Sequence, residues 1–567
     1  MTIRDGCAVS LIHQARSTLA DLAGEEADGK HPRGEGEVLV NVTVYVRQRL
    51  RASMSGRGAN LDDAVRRAAA RAAADVRYGP PLSPGELADA RVELWVQTSR
   101  EVIGGADVAT ALDLGFHGIE IQGEGGSAYY KPSVALTAGL ARHEPLLGKL
   151  TKKAGLGPEA WRDPRTTLHR TTWEHYCEVP AEPDRVLHLR RLRPAALDEL
   201  TAAAVQARAR LAGDRLMGVQ SADGYYLYKF HPFTKRETPG PGNLVRQAGC
   251  AYAVARAAEA AADPQRRAAL ASSASRAIDA LLGRVVTEEG RLFIAEMPKA
   301  DAPVSGKLGT LALTLAALQS PSLASRYATE RQCLAEAVLC WQRPDGSFRC
   351  RTDSTSVADD GTGQDYFPGE ALMALAAETR AGGQRAMAAA LPWYRARFRT
   401  QPTTAFVPWQ IEAWKLYAEW AMSVGAPVVP DDVAASELVF EMADWILQFQ
   451  IGACASHPDL TGGYAQPGHR PGASTASYTQ AVMGAFSLAR QRGDGDRASR
   501  YREASRLGLD FMRRLQIGPD AAVLFSDPAR TVGGTTASFA DMTIRCDQDQ
   551  HALTGYLTAL ETGLLEA

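Results

Sequence analysis

Cysteine, long apolar runs and excess charge are all scarce in this chain, and each scarcity excludes a class of protein. The 567 residues contain 8 scattered cysteines and no C-x-x-C pair, which argues against a disulfide framework and a structural zinc site. No apolar run reaches about 18 residues, so no membrane-spanning helix is expected. The N-terminal stretch MTIRDGCAVSLIHQ lacks the apolar core of a signal peptide. We therefore expect reduced thiols and a cytoplasmic protein.

Charge imbalance and cofactor motifs are missing as well. The formal net charge is −2, from 63 basic and 65 acidic residues, which gives no electrostatic reason to expect binding to nucleic acid or to an anionic membrane. The chain has no G-x-x-x-x-G-K-[ST] loop, no G-x-S-x-G elbow and no H-E-x-x-H motif. We therefore expect no metal, no nucleotide cofactor and a small-molecule partner, while the oligomeric state stays open.

What is present divides into two parts with different patterns. In the first part, EVLVNVTVYV and ARVELWVQTS alternate like strands, and NLDDAVRRAAARAAADVRYG reads as a helix between them. FHGIEIQGEGGSAYYKP is typical of a hairpin with a glycine-rich turn. These patterns predict an N-terminal helix and loop over 1–37 and an α+β domain over 38–177, and the proline-marked stretch 178–194 is interpreted as a linker.

Residues 195–567 carry a repeat that predicts a ring of helices. Six apolar helical segments, each with a polar or aromatic entrance, start at 243, 306, 365, 406, 474 and 545, and a more solvated helix precedes each one. Six such hairpins predict an (α/α)6 toroid with the apolar helices inside. The inner helices of a toroid run parallel, so their N-termini gather at one mouth, which favours an anionic ligand. We expect this domain to fold without the first one.

Several phrases of the first part resemble a known family. YGPPLSPGELADARVELWVQTS, FHGIEIQGEGGSAYYKPSVA and LLGKLTKKAGLGPEAWRDPRTTLHR, with its K-A-G-L-x-P-x-x-W phrase, are similar to the AMMECR domain family, known in microbes as AmmeMemoRadiSam system protein A. The family carries an L-R-G-C-I-G phrase. Here the aligned stretch is LRASMSG, so Ser53 stands at the cysteine position and chemistry that depends on that cysteine is in doubt.

The second part resembles, at the level of fold, the six-hairpin toroids of carbohydrate-active hydrolases, lyases and sugar epimerases. QRPDGSF at 342 and QSADGYYLY at 220 are similar to the Q-x-x-D-G-x-aromatic turns of α/α toroids in general, terpene cyclases included. Such a turn joins two helices and does not specify chemistry.

The entrances of the six inner helices supply the candidate site residues. The candidate catalytic side chains are Asp365, Asp547, Asp549 and His551. The candidate substrate-binding side chains are Asn243, Arg246, Gln247, Lys307, Tyr366, Glu370, Trp409, Gln410, Tyr478 and Arg545. Each has a structural alternative: the aspartates suit helix capping, the basic residues suit a solvated rim, and the aromatic residues suit the core. Two aspartates beside one helix start exceed what a cap needs, so we expect both to face the cavity together with Asp365 and Arg246.

Carboxylates in a bowl with aromatic, amide and arginine side chains suit hydrolysis, elimination or epimerisation of a carbohydrate-like or anionic metabolite. In this hypothesis the N-terminal domain covers or extends the mouth. Two alternatives remain open at this point. The chain is a scaffold that recruits a partner, or the chemistry lies in the AMMECR-like domain with Ser53 and His117 as candidates.

Overall fold

The computed structural model describes residues 5–23, 37–297, 304–378, 381–423, 430–453 and 457–566. The chain up to residue 194 forms an antiparallel sheet with helices. The strands are β1 (Val38–Val46), β2 (Arg49–Gly58), β3 (Ala90–Ile103), β4 (Gly118–Gly123), β5 (Gly126–Tyr130), β6 (Thr167–Val179), β7 (Glu182–Arg190) and β8 (Arg193–Pro194). Their order in the sheet is β2-β1-β3-β6-β4-β5; β7 also pairs with β6, and β8 pairs with β7. The helices are α1 (Asp5–Leu22), α2 (Leu61–Ala73), α3 (Pro84–Ala88), α4 (Val108–Ala111), α5 (Pro132–Thr137) and α6 (His143–Lys153).

Two predicted boundaries of this domain are wrong. Helix α1 is not a separate N-terminal segment, because Leu11, Ile12 and Leu19 are buried in the same apolar core as the valines of β1. The stretch 178–194 is not a linker, because β6, β7 and β8 pair in sequence across it. Of the two prolines that suggested a linker, Pro180 lies in the tight turn between β6 and β7, where a missing N–H costs no ladder hydrogen bond, and Pro183 lies in β7 itself.

The chain from residue 202 onward is largely helical. Its helices are α7 (Ala202–Gly218), α8 (Leu244–Ala260), α9 (Pro264–Leu282), α10 (Leu308–Leu318), α11 (Pro321–Ala324), α12 (Ala328–Cys340), α13 (Val357–Asp360), α14 (Phe367–Ala376), α15 (Ala381–Thr400), α16 (Val407–Ser423), α17 (Pro430–Leu447), α18 (Thr475–Gln491), α19 (Gly495–Leu515), α20 (Pro528–Thr531) and α21 (Cys546–Glu561). Short strands β9 (Lys229–Phe230), β10 (Glu237–Thr238), β11 (Val285–Glu288), β12 (Arg291–Ile294) and β13 (Ile544–Arg545) lie in the connections.

Six of these helices close a ring, which confirms the (α/α)6 toroid. The six inner helices pack in the order α8, α10, α14, α16, α18 and α21, and α21 packs back on α8. The outer helices α7, α9, α12, α15, α17 and α19 pack against this ring from outside. The inner helices are apolar nearly all round, and every residue of α10 is buried, because an inner helix has neighbours on all sides.

A glutamine turn recurs in four of the six repeats and ties neighbouring outer helices together. The residues are Gln220, Gln342, Gln450 and Gln516, and each follows directly after an outer helix. Each Nε2 donates to a glycine carbonyl within its own turn and to a backbone carbonyl of the next outer helix. The last of these bonds runs from Gln516 to Arg208 of α7 and therefore joins the two ends of the ring.

The two domains share an apolar cluster and a buried ion-pair network. The cluster includes Leu187, Leu189 and Leu192 from the sheet and Ile517, Leu524 and Ile544 from the toroid. Beside it, the guanidinium of Arg191 donates to Asp113 at 2.5 and 3.0 Å and also bonds to Asp459 of the toroid. Arg191 and Asp113 are both almost fully buried. The two domains are thus held together by contacts that are buried away from water.

Candidate active site in the toroid

A cavity of about 770 Å³ opens where the N-terminal ends of all six inner helices meet. The predicted residues that line it are Asn243, Arg246, Lys307, Tyr366, Glu370, Trp409, Tyr478, Arg545, Asp547 and His551. Residues that share the cavity but were not predicted include Arg351, Asp360, Arg470, Ser474, Ser538 and Gln548. No residue before position 243 lines the cavity within the described chain, so the N-terminal domain supplies none of its wall.

Asp547 is the centre of a charged cluster on one side of the cavity. Arg545 binds its carboxylate through two nitrogens, at 2.5 and 2.8 Å, and Nε of Arg246 approaches it at 3.0 Å. Burial opposes ionisation of Asp547, but the hydrogen bonds and charge of Arg545, together with the charge of Arg246, outweigh it and lower the pKa. Arg246 also bonds to the hydroxyl of Tyr228. Asp547 is therefore an ionised group that orients two arginines.

His551 lies one helical turn after Asp547 and is neutral near pH 7. Burial lowers the pKa of its imidazole to about 4, although the charge of Asp547 opposes the shift. Its ring centroid lies 5.8 Å from that of Trp409, which belongs to the inner helix α16. A neutral imidazole in a cavity can accept a proton from a bound molecule.

Glu370 presents the opposite protonation state. Its side chain is 4% exposed, and within the described chain Oε2 has no hydrogen-bond partner. Burial raises the pKa of this carboxyl to about 8, so it holds a proton at neutral pH. Glu370 fits here because Gly309 has no side chain. A Cβ at Gly309 would approach Oε2 of Glu370 more closely than van der Waals contact allows.

Five basic side chains line the cavity, against three acidic ones. Lys307 is 3.0 Å from Glu296, and Arg470 is 2.7 Å from Asp113, a residue of the N-terminal domain. Arg351 pairs with Asp353 at 2.6 Å. These cations and the six helix N-termini make the cavity favourable for an anionic group.

The aromatic and amide residues at the rim have mixed roles. Asn243 caps α8, since its Oδ1 accepts from the backbone N–H of Arg246 at 3.3 Å. Tyr366 is 44% exposed at the mouth, whereas the hydroxyl of Tyr478 donates to Thr404 at 3.2 Å. Tyr366 is therefore free to meet a ligand, and Tyr478 is partly committed to the wall.

Two of the predicted catalytic carboxylates do not reach the cavity. Asp549 points away from it, because its carboxylate binds Arg215 of α7 and accepts from the backbone N–H of Thr535 at 2.7 Å. Asp365 pairs with Arg397 of α15 at 2.6 Å. We expected Asp547 and Asp549 to face one cavity with Asp365 and Arg246. This is wrong for Asp549 and Asp365, since each pairs with an arginine of an outer helix.

Two predicted amide ligands are structural. Gln247 accepts from the backbone N–H of Tyr226 at 2.8 Å and donates to the carbonyls of Tyr226 and Pro241. Gln410 is 1% exposed and accepts from the indole of Trp414 at 2.8 Å. Both side chains bond within the fold, and neither lines the cavity.

The two candidates of the N-terminal domain lie outside this cavity. Nδ1 of His117 accepts from the backbone N–H of Asp113 at 2.9 Å, and the ring meets Phe116 edge-on. Ser53 lies on β2, in a polar cluster of its own domain. Neither residue is positioned to act on a molecule in the toroid.

Neither a metal-binding cluster nor a membrane-spanning helix is present among the described residues. No group of three or more His, Cys, Asp and Glu side chains is arranged to hold a metal ion. No described helix has the length and apolar character required to cross a bilayer. That the reaction needs no metal or other cofactor stays a prediction.

Comparison with known proteins separates the two domains. Residues 12–176 match the family model AMMECR1. Protein TK0174 of Thermococcus kodakarensis is 34% identical over 128 residues, which are 22% of this chain and 62% of that protein. The crystal structure of an uncharacterized protein, PH0010 from Pyrococcus horikoshii, covers 33% of this chain and 98% of its own, at 24% identity and a TM-score of 0.29.

The toroid has structural relatives at lower identity. A sugar epimerase from a ruminal bacterium covers 64% of this chain and 99% of its own, at 12% identity and a TM-score of 0.45. A likeness this distant says nothing about the residues of the cavity. The N-terminal domain is thus similar to AMMECR1, and the chemistry of the toroid has to follow from its own side chains.

Proposed function

We propose that the toroid cavity is the active site of an enzyme that acts on a polar, carbohydrate-like anionic metabolite by acid–base chemistry. Glu370 is the observation that supports this most. A buried carboxyl with an unpartnered oxygen is costly for a fold, and the cost is compensated at a site where a ligand engages the group. A scaffold has no use for such a group in the wall of a cavity.

The cavity offers one proton donor and one proton acceptor at neutral pH. Glu370 holds a proton because its pKa is raised to about 8, and His551 lacks one because its pKa is lowered to about 4. Pairs of groups whose pKa values are pushed apart are the usual arrangement for acid–base catalysis. In this proposal Glu370 donates a proton to the substrate and His551 removes one, which suits hydrolysis, elimination or epimerisation.

Asp547 and the two arginines provide the binding function in this proposal. Arginine binds carboxylates and phosphates through two parallel hydrogen bonds, and Asp547 holds Arg545 and Arg246 in place for that purpose. The substrate thus carries a carboxylate or a phosphate. Trp409 and Tyr366 supply ring faces against which a sugar can pack.

Incubation of the full chain with a panel of uronic acids and sugar phosphates in D₂O, followed by proton NMR, tests this function. Epimerisation exchanges a carbon-bound proton for deuterium, elimination produces an alkene signal, and hydrolysis of a glycoside does neither. Turnover should depend on pH, falling below about 4 and above about 8 as His551 and Glu370 titrate.

Two variants and one control make the test specific. Glu370→Gln and His551→Gln should each lower turnover by about 100-fold or more while the fold is kept. Glu561→Gln changes a carboxylate on α21 that pairs with Arg256, away from the cavity, and should leave turnover unchanged. Full activity in both cavity variants, on any substrate that wild type converts, would refute the proposed roles.

A further inference from the structure

The sheet of the N-terminal domain has a polar face that the toroid proposal does not use. Side chains of β1 alternate, so Val40, Val42 and Val44 join the core beneath α1 and α2, while Asn41 and Thr43 lie on the opposite face. Both polar residues are at most 2% exposed. The register of β1 with β2 places Ser53 directly opposite Thr43.

Lys131, the residue directly after β5, brings an amine to that face. Its Nζ is 2.7 Å from Oδ1 of Asn41, also bonds to Thr43, and is 3.5 Å from Oγ of Ser53. The ring of Trp95 lies on another side, with its centroid 5.1 Å from Nζ. An amine thus lies among three oxygens and an indole.

The surroundings of this amine favour its neutral form. Burial lowers the pKa of Lys131 to about 7; the carboxylate of Glu93 opposes the shift and the amine of Lys153 adds to it. Glu93 is itself paired with Arg91 at 3.0 Å and His175 at 3.2 Å, which limits its effect on Lys131. A buried lysine of this kind can act as a general base.

The numbers of donors and acceptors in this cluster set the direction of each hydrogen bond. A neutral amine has two N–H donors and one lone pair. Asn41 Oδ1 already accepts from the hydroxyl of Thr43 at 2.7 Å, so Thr43 Oγ1 is left to accept from Lys131. The two nearer oxygens, of Asn41 and Thr43, take the two N–H groups. The lone pair is left for the hydroxyl of Ser53, which can rotate between Nζ of Lys131 at 3.5 Å and Oδ1 of Asn41 at 3.3 Å.

We propose that Ser53 and Lys131 form a second active site, independent of the toroid, that cleaves a carboxylic ester, thioester or amide. The Oγ of Ser53 attacks the carbonyl carbon while its proton moves to Nζ of Lys131. The bond from that carbon to the alcohol, thiol or amine breaks, and Lys131 returns the proton to the leaving group. Water then attacks the acyl-serine through the same base, which releases the acid and restores the Ser53 hydroxyl.

A cavity is lined by neighbours of the pair, although neither Ser53 nor Lys131 lines it. Ser53 is partly exposed, and Trp95 and His175 line a cavity of about 220 Å³ that also includes Pro132, the residue after Lys131. In the described chain, Nε1 of Trp95 and Nδ1 of His175 are buried without a hydrogen-bond partner. These nitrogens are unused polar groups that a bound acyl compound can satisfy.

Labelling of the full-length protein with an alkyl fluorophosphonate tests the pair directly. Such a probe forms an Oγ–phosphorus bond with an activated serine and loses fluoride, and peptide mass spectrometry locates the adduct. We expect the adduct on Ser53, with a rate that rises through about pH 7 as Lys131 loses its proton. Ser53→Ala should abolish it, while Ser55→Ala, which removes a neighbouring serine bonded to Tyr129, should not.

Lys131→Met separates the dyad from a merely accessible serine. The variant keeps the length of the side chain without the amine, and labelling of Ser53 should fall by about 100-fold. No adduct on Ser53 in wild type, or labelling of Lys131→Met at the wild-type rate, would overturn the proposal. If circular dichroism shows that Lys131→Met is unfolded, the wild-type pH profile decides instead, and a rate that is flat between pH 6 and pH 8 refutes the role of Lys131. Toroid activity is unaffected by either result.

Discussion

At the scale of single residues, the protonation of Glu370 links the chemistry of the cavity to the stability of the fold. Its pKa in the folded protein is about 8, against an ordinary value of 4.5. Between these values the native state holds a proton that the unfolded state has lost. Stability therefore falls as pH rises through this window, by at most about 1.4 kcal/mol for each pH unit.

Glu370→Gln should remove this dependence, because glutamine has the shape of the protonated acid and does not titrate. We expect the melting temperature of the variant minus that of wild type to be a few degrees larger at pH 8 than at pH 5. Differential scanning fluorimetry at both pH values measures this difference, and Glu561→Gln, a change at a half-exposed position, is the control. A wild-type and variant pair with the same pH dependence would contradict the raised pKa.

Asp547 and Asp549 are two positions apart and should respond differently to the same substitution. Asp549→Asn leaves the fully buried Arg215 without a carboxylate, and loss of one partner of a buried pair costs about 3–5 kcal/mol. Asp547→Asn affects arginines that are about one-third exposed, so the fold should stay stable while turnover falls. Melting temperatures of the two variants measure the contrast, and equal values would contradict it.

The difference between these aspartates shows what the sequence could not reveal about the site. The position of each on α21 was predictable, and so was the approach of Asp547 to Arg246 from their places at two helix starts. The partner of Asp549, however, lies 334 residues earlier on an outer helix, and nothing in the local pattern identifies it. Arg351 and Arg470 were missed because they lie in connections that have no periodicity.

At the scale of elements, the glutamine turns explain why the repeats join in the same way. Where glutamine and glycine are four residues apart, as in Gln220–Gly224 and Gln342–Gly346, the turn is visible in the sequence. In Gln450–Gly462 and Gln516–Gly533 the separation is 12 and 17 residues, because loops are inserted between them. The starts of the inner helices were predictable to within two residues from apolar periodicity, whereas these longer turns needed the structure.

Gly346 is the position where such a turn tolerates no side chain. Its φ is 88°, and a Cβ would collide with the backbone carbonyl of Ala389 on α15. Gly346→Ala therefore combines left-handed strain with a clash against a helix backbone, and should cost about 3 kcal/mol or more. Gly290 has a φ of 74° and open space around it. Gly290→Ala therefore measures the left-handed strain alone, which we expect to cost about 1–2 kcal/mol.

Thermal unfolding followed by circular dichroism at 222 nm compares these two glycine variants. The melting temperature of Gly346→Ala should lie several degrees below that of Gly290→Ala. If both variants melt together, the close approach of the turn to α15 does not contribute to stability.

At the scale of the whole molecule, the two domains form one body, which the sequence did not predict. The strands mistaken for a linker carry the leucines that pack against Ile517, Leu524 and Ile544 of the toroid. A toroid cut at residue 195 would expose these side chains to water, at about 25 cal/mol for each Å² of apolar surface. The toroid should therefore be less stable without the first domain, which argues against the expectation that it folds alone.

Asp113 is the group through which the N-terminal domain touches the wall of the cavity. It is 1% exposed and binds both Arg191 and Arg470, and Arg470 lines the cavity. Without the Asp113 charge, the buried guanidinium of Arg191 keeps Asp459 and the carbonyl of Leu114 as partners. Asp113→Asn removes one carboxylate from this buried network and should therefore destabilise the protein by about 3–5 kcal/mol.

We expect Asp113→Asn to begin unfolding at a temperature several degrees below that of wild type, and limited proteolysis to cleave it faster between the domains. Asp107→Asn is the matched control, because Asp107 is exposed on the same domain. The apolar cluster and the Arg191–Asp459 pair remain in the variant, so the contact between the domains should loosen before the toroid itself melts. A variant with the melting profile and cleavage rate of the control would show that the charge of Asp113 does not contribute to the contact between the domains, and that the leucine cluster and the Arg191–Asp459 pair suffice.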